Sequence, residues 1–214
     1  MMTGMKFLLF CLAGALTLSL RAGESFSVDV SAMPALCVPS GVRPFVRKAA
    51  EDLATDMEKV FGRRPEITDS AKDRNAIVLG LDGGGFERYV LRSEAQNVLR
   101  ITGSDDRGLM FGIYRFCSDF LEVDPFYYWS DFEPKRTARR EWKDGIDLVQ
   151  GEPAFKYRGW FINDEDFLNG FRKDENGTRK IAYEMYQTCF GPQLADRICE
   201  AAVRAGFNLI VSAS

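Results

Sequence analysis

The chain has 214 residues, with 28 Lys or Arg against 31 Asp or Glu for a net charge of -3, and 46% hydrophobic residues. This ordinary globular composition excludes a disordered or collagenous chain, and the mildly acidic balance gives no electrostatic footprint for nucleic acid. Histidine is absent, which excludes Ser-His-Asp and Cys-His nucleophile systems and any histidine metal site, and leaves carboxylate, Lys, Tyr and Cys chemistry.

At the amino terminus, Lys6 precedes an apolar run over residues 7–20, Arg21 ends the run, and Ala22-Gly23 offers small residues for cleavage. The run is shorter than the roughly 20 residues a membrane helix needs, and no second hydrophobic span follows. Residues 1–23 are therefore expected to be a signal peptide, so the protein is secreted or periplasmic and has no membrane attachment after cleavage. Cys37, Cys117, Cys189 and Cys199 remain in the mature chain. Their spacing is too wide and irregular for a metal site. Cys117 falls on the apolar face of a predicted helix, where a buried thiol is expected, while pairing of Cys189 with Cys199 stays open.

Residues 25–30 alternate as a strand, and a loop with Pro34, Pro39 and Gly41 follows. Pro44 then opens a helix with an apolar stripe through Val46, Ala49, Ala50, Leu53, Met57, Val60 and Phe61, and Gly62 closes it. Residues 76–79 read as a short buried strand. The Gly83-Gly84-Gly85 run after it lacks the Lys-Ser/Thr and helix pattern of a phosphate loop. Residues 89–92 and 98–101 read as antiparallel strands. After Gly103-Ser104-Asp105-Asp106-Arg107-Gly108, a helix carries Leu109, Ile113, Phe116, Cys117 and Phe120 on one face, with Ser or Asp as its cap. Residues 24–123 are thus expected to form an α+β domain, a sheet with two helices.

Residues 124–154 read as a linker. They hold an aromatic run, Phe126-Tyr127-Tyr128-Trp129, followed by a basic stretch over 134–140. The aromatic run suits either a sugar-binding platform or a packing plug between domains. From residue 155 a different unit begins. It has a strand over 157–162, a polar loop over 169–178, a helical stretch over 181–190, a helix from Pro192 to Gly206 and a buried-type strand over 207–211. Strand–helix–strand of this kind opens a (β/α)8 barrel, here incomplete, so the chain is expected to be the amino-terminal portion of a longer protein and inactive by itself.

In such a barrel, chemistry sits at the carboxyl ends of the strands, where Asn163-Asp164-Glu165-Asp166 falls. With the backbone extended, Asp164 and Asp166 share one side and Glu165 takes the other, so the run alone is not an acid/base pair. Capping of the loop backbone is the competing role for these residues.

Tyr157-Arg158-Gly159-Trp160-Phe161-Ile162-Asn163-Asp164-Glu165-Asp166 resembles the opening barrel strand of glycoside hydrolase family 115, the xylan α-glucuronidases. Asn208-Leu209-Ile210-Val211-Ser212-Ala213-Ser214 resembles that family's second strand, with Ser212 in place of the usual proline. Gly103-Ser104-Asp105-Asp106-Arg107-Gly108 with Phe111-Gly112-Ile113-Tyr114, and Pro125-Phe126-Tyr127-Tyr128-Trp129-Ser130-Asp131, resemble segments of its amino-terminal region. The resemblance runs from about residue 49 to 214, with the 169–178 loop departing from the common form. It implies inverting hydrolysis of α-1,2-linked glucuronic or 4-O-methylglucuronic acid from xylan. Asp164 and Glu165 become the candidate catalytic residues, and Asn163 and Asp166 the candidate substrate-binding residues. The partner carboxylate would come from another strand. The resemblance implies no metal and no organic cofactor, and a glucuronoxylan-type polysaccharide or oligosaccharide as partner. A non-catalytic carbohydrate-binding or accessory domain is the alternative, served by the aromatic run.

Overall fold

The computed structural model describes residues 24–130, 132–162, 171–173, 179–181 and 192–212. Its first unit is a six-stranded mixed sheet with two long helices on one face. In chain order the elements are β1 (Phe26–Asp29), β2 (Ala35–Cys37), α1 (Pro44–Phe61), β3 (Ile67–Thr68), β4 (Ala76–Leu81), β5 (Tyr89–Glu94), β6 (Val98–Gly103) and α2 (Asp106–Asp119). After these come α3 (Tyr127–Ser130), β7 (Arg139–Trp142) and β8 (Asp147–Gln150). The sheet order is β3-β2-β4-β6-β5-β8, parallel through β3, β2, β4 and β6 and antiparallel from β6 to β5 and β8.

The helices form where the sequence places them. Pro44 occupies the first turn of α1, where its missing N–H is not needed. Gly62 ends the helix at φ 76°, and its N–H donates to the Glu58 carbonyl. The predicted stripe is buried against Ile77, Leu79, Leu91, Leu99 and Ile101 of the sheet. Asp105 caps α2, its carboxylate accepting from the Gly108 N–H at 2.7 Å. The first turn of α2 lies hard against the sheet: a Cβ at Gly103 would meet Leu109 N at 2.1 Å, and one at Gly108 would meet the Arg88 carbonyl at 2.2 Å. The glycines of the 103–108 segment thus serve close backbone approach.

The sheet continues past the 24–123 boundary expected from sequence. Strand β8 pairs with β5, and β7 pairs with β1. Ile146 is buried between them, its N–H donating to Ser93 Oγ at 2.7 Å. Trp142 stacks on Phe26 at 5.7 Å and tilts against Phe116. The 139–142 stretch is an edge strand with charged side chains toward solvent, which in sequence resembles a basic linker. Strand β2 formed within the stretch expected to be loop, and β3 in a stretch to which the sequence assigned no element. They span three and two residues, too short for a period-two pattern to register.

The second unit begins with β9 (Gly159–Ile162), followed by the hairpin of β10 (Phe171–Lys173) with β11 (Arg179–Ile181), then α4 (Pro192–Arg204) and β12 (Leu209–Ser212). The 169–178 segment, expected to be loop, therefore carries a strand at 171–173, while the expected helix over 181–190 lies, apart from Ile181, outside the described residues. Strands β9 and β12 run parallel, Gly159 opposite Leu209 through Ile162 opposite Ser212. The expected strand–helix–strand is present, but these two strands form a sheet of their own, and no closed barrel exists among the described residues.

This topology gives an expected outcome for truncation. Residues 24–150 should unfold in one cooperative transition. Residues 24–123, stripped of Trp142 and Ile146, should melt more than about 10 °C lower, since losing each large core side chain costs about 2–5 kcal/mol in a domain of this size. Equal melting temperatures by circular dichroism would show that β7 and β8 only decorate the sheet.

Candidate active site and its frame

The parallel register places the carboxyl ends of β9 and β12 side by side, at Ile162 and Ser212. Asn163, Asp164, Glu165 and Asp166 follow directly on Ile162 and lie outside the described residues. Along β9 the side chains alternate, with Ile162 buried and Phe161 59% exposed.

At the opposite, amino-terminal end of the strand pair, one carboxylate gathers several donors. The Glu87 side chain is 0% exposed and accepts from Arg158 Nη2 at 2.6 Å and from Asn208 Nδ2 at 3.2 Å. Arg107 Nε lies 3.2 Å from it on the solvent side. Arg158 immediately precedes β9 and Asn208 immediately precedes β12. The two also bind each other: Arg158 N–H donates to Asn208 Oδ1 at 2.9 Å, and the Arg158 carbonyl accepts from the backbone N–H groups of Asn208 and Leu209. Arg158 Nε donates to the Gly206 carbonyl at 2.9 Å, which fastens the turn after α4 as well. Arg158 and Asn208 belong to the strand motifs legible in the sequence. Glu87 was not legible, because one acidic residue in a turn reads as surface.

Helix α4 is fixed by a second buried charge. Arg204 is 3% exposed at its side chain and makes a two-pronged bond to Asp56, itself 0% exposed, at 2.6 and 3.3 Å. Arg204 Nε donates to Glu200 at 2.8 Å, and Arg197 pairs with Glu200 at 3.0 Å. The Arg204 guanidinium also lies over the Tyr114 and Tyr127 rings, at 5.0 and 5.7 Å. Burial opposes its charge, but Asp56 and Glu200 outweigh that and hold the proton on more tightly than usual. Burial pushes the Tyr114 hydroxyl up, helped by the charge of Asp52, and likewise the Cys117 thiol, helped by Asp56. Cys117 is therefore an inert buried thiol, as its helix position suggested.

The aromatic run forms a plug. Phe126 and Trp129 meet Trp160 of β9 edge-on, at 5.8 and 6.4 Å. Tyr127 lies under Lys59 at 3.8 Å. All four rings of residues 126–129 are half-buried, which favours the packing role over an open sugar platform. A cleft of about 740 Å³ between the helices contains Asp52, Tyr114, Arg197 and Glu200. Its Asp52 is already engaged by Tyr114 at 2.8 Å and by Lys48. Among the described residues, no group of three Cys, Asp or Glu is arranged to hold a metal ion.

The chain superimposes on a family 115 4-O-methyl-α-glucuronidase with specificity for decorated arabinogalactans, with a TM-score of 0.71, 23% identity, and coverage of 87% of this chain and 26% of that one. A mutant Streptomyces plicatus β-hexosaminidase bound to its product gives a TM-score of 0.55, 15% identity, and coverage of 89% and 42%. Both likenesses concern the fold, and this chain spans about a quarter of the length of the first enzyme. No curated protein matches the chain. Residues 150–214 match the model of Glycosyl hydrolase family 115. The match covers both strand motifs and is shorter than the 49–214 span over which the sequence resembles the family.

The charges around α4 give a pH-dependent expectation. Burial raises the Glu200 pKa, but Arg204, Lys48 and Arg197 together hold it below its ordinary 4.5. A carboxylate held low when folded contributes stability that is full above its unfolded pKa and is lost as pH falls through the folded value. Glu200→Gln should lower the melting temperature by a constant amount from pH 8 to 6, and the gap should narrow as the pH falls below the ordinary carboxylate value of 4.5. A gap independent of pH in thermal melts would show that Glu200 acts through packing alone.

Proposed function

We propose that the whole protein carrying this chain is an exported glycoside hydrolase that removes α-linked glucuronic or 4-O-methylglucuronic acid side chains from a plant polysaccharide of the glucuronoxylan type. The observation that carries this reading is the family 115 match over residues 150–214, which includes β9 and the Asn163–Asp166 run. The fold likeness to an α-glucuronidase supports it. That enzyme's specificity for decorated arabinogalactans makes the polysaccharide backbone the open variable and the α-glucuronide the constant one.

The chemistry follows from carboxylates alone. In an inverting reaction one carboxylic acid protonates the departing glycosidic oxygen while a carboxylate on the opposite face takes a proton from the attacking water. The two must stand about 6.5–9.5 Å apart to leave room for that water. Neighbouring residues on one strand end do not span a sugar in this way, so Asp164 or Glu165 supplies one carboxylate or positions it, and another strand supplies its partner. Asn163 and Asp166 bind sugar hydroxyls in this reading, and an Arg or Lys receives the uronic carboxylate. Export follows from the 1–23 segment.

Paired kinetics of Asp164→Asn and Asp166→Asn in the full-length protein test the assignment, with glucuronoxylan oligosaccharide and decorated arabinogalactan as substrates. Asp164→Asn should lower turnover about a hundredfold or more, the usual size for an acid/base or positioning group, with an unchanged melting temperature and a smaller loss for Asp166→Asn. Near-normal turnover in Asp164→Asn would leave the strand motif a structural signature only. Failure of the unmutated protein to release glucuronic acid from either substrate would remove the function itself.

A further inference from the structure

We propose that Glu87 is a positioning residue that sets the stagger of β9 against β12, and through it the place of the residues that follow β9. The link to catalysis rests on the function proposed above; the link to the strands does not. Glu87 is an expensive residue to keep where it is. Its backbone is left-handed at φ 50°, an uncommon conformation for a glutamate. Its carboxylate is fully buried, and a buried charge is tolerable only when its hydrogen bonds are met.

Its neighbours hold it there. The Glu87 N–H donates to Asp105 Oδ2 at 3.3 Å, while the other oxygen of Asp105 caps α2. Next to it, Arg88 N–H donates to Ser104 Oγ and the Arg88 carbonyl accepts from Ser104 N–H, both at 2.9 Å. The Gly103–Gly108 segment is thus a bracket that aims Glu87 out of the first unit, and its target is the pair of residues that start the two parallel strands. One oxygen takes the guanidinium at the foot of β9 and the other takes the amide at the foot of β12. A carboxylate has a fixed separation between its oxygens, so it fixes the offset between the two strands. From Arg158 to Ile162 the strand rises about 13 Å, and an error at the foot is carried to the far end, where misplacement of a reacting group by about 1 Å can cost two orders of magnitude in rate.

Arg107 separates this role from simple burial. It pairs with the same carboxylate at 3.2 Å but belongs to α2 rather than to the foot of either strand. The experiment compares Glu87→Gln, Glu87→Asp and Arg107→Gln. Amide exchange is read at Asn208 and Leu209, whose N–H groups bond to the Arg158 carbonyl. Kinetics are read on an aldouronic acid in the full-length protein. Glu87→Gln should speed exchange at these two amides about tenfold, with β4 and β6 unchanged, and should lower kcat about tenfold with KM within twofold. Glu87→Asp, which keeps the charge and tolerates the left-handed backbone, should recover part of both, so the result does not depend on Glu87→Gln folding. Arg107→Gln should change neither. Unaltered exchange in both Glu87 variants, or equal effects in Arg107→Gln, would overturn the proposal. An unmutated protein that releases no glucuronic acid would remove the proposed function alone, and the exchange pattern would still decide the role of Glu87.

Discussion

The assembly of the two units depends on one buried charge pair, Asp56 with Arg204, which joins residues 148 positions apart in the sequence. Taking both charges out of water is costly, and the attraction between them offsets this only with good geometry and further hydrogen bonds. Both conditions hold: the bond is two-pronged, Glu200 takes the remaining Nε, and two tyrosine rings flank the guanidinium. Arg204 is the last residue of α4, so fixing it fixes where the chain turns into β12. Because β12 is the partner of β9, the strand carrying the candidate site inherits its position from α1 of the first unit.

Three attachments then share the work, and they differ in physical kind. The Asp56–Arg204 pair holds the helix. The Glu87 carboxylate holds the feet of both strands. The edge-on rings of Phe126 and Trp129 against Trp160 hold the side of β9. Charge pairs dictate direction and the aromatic plug fills volume, so together they specify one orientation where apolar contact alone would allow several. All three act away from the carboxyl end of β9. The carboxyl end of β9, after which Asn163–Asp166 follow in sequence, is the end at which parallel α/β barrels place their chemistry.

Much of the frame was legible in the sequence, and what was missed has physical causes. Helices α1 and α2 announced themselves through apolar period, Pro44, Gly62 and Asp105. Strands β4, β5, β6, β9 and β12 were readable as apolar or β-branched runs. Strands β7 and β8 were not, because an edge strand with charged outward side chains has the composition of a linker, and few of their residues, among them Trp142, Leu148 and the adjoining Ile146, pack inward. The structural charges were hidden for a related reason. Asp56 lies on a helix full of surface charges, and nothing local distinguishes it from Glu51 or Glu58; its partner comes from beyond any sequence window. The Gly103–Gly108 and Tyr157–Asp166 motifs stood out in the sequence by their resemblance to family motifs, yet the bracket that the first forms for the foot of the second appears only in three dimensions. The candidate site residues were named from motif resemblance alone, and they lie outside the described residues.

The most direct test of this account is a double-mutant cycle on Asp56 and Arg204, measured by denaturant unfolding of the 214-residue chain. Asp56→Leu and Arg204→Met each take away the main partner of a buried charge and should each destabilise by about 3–5 kcal/mol, whereas the double substitution, which removes both charges, should lose clearly less than the sum of the two single losses. Additive losses, with the double variant the least stable of the three, would show that the two charges do not depend on each other and that something else holds the units together.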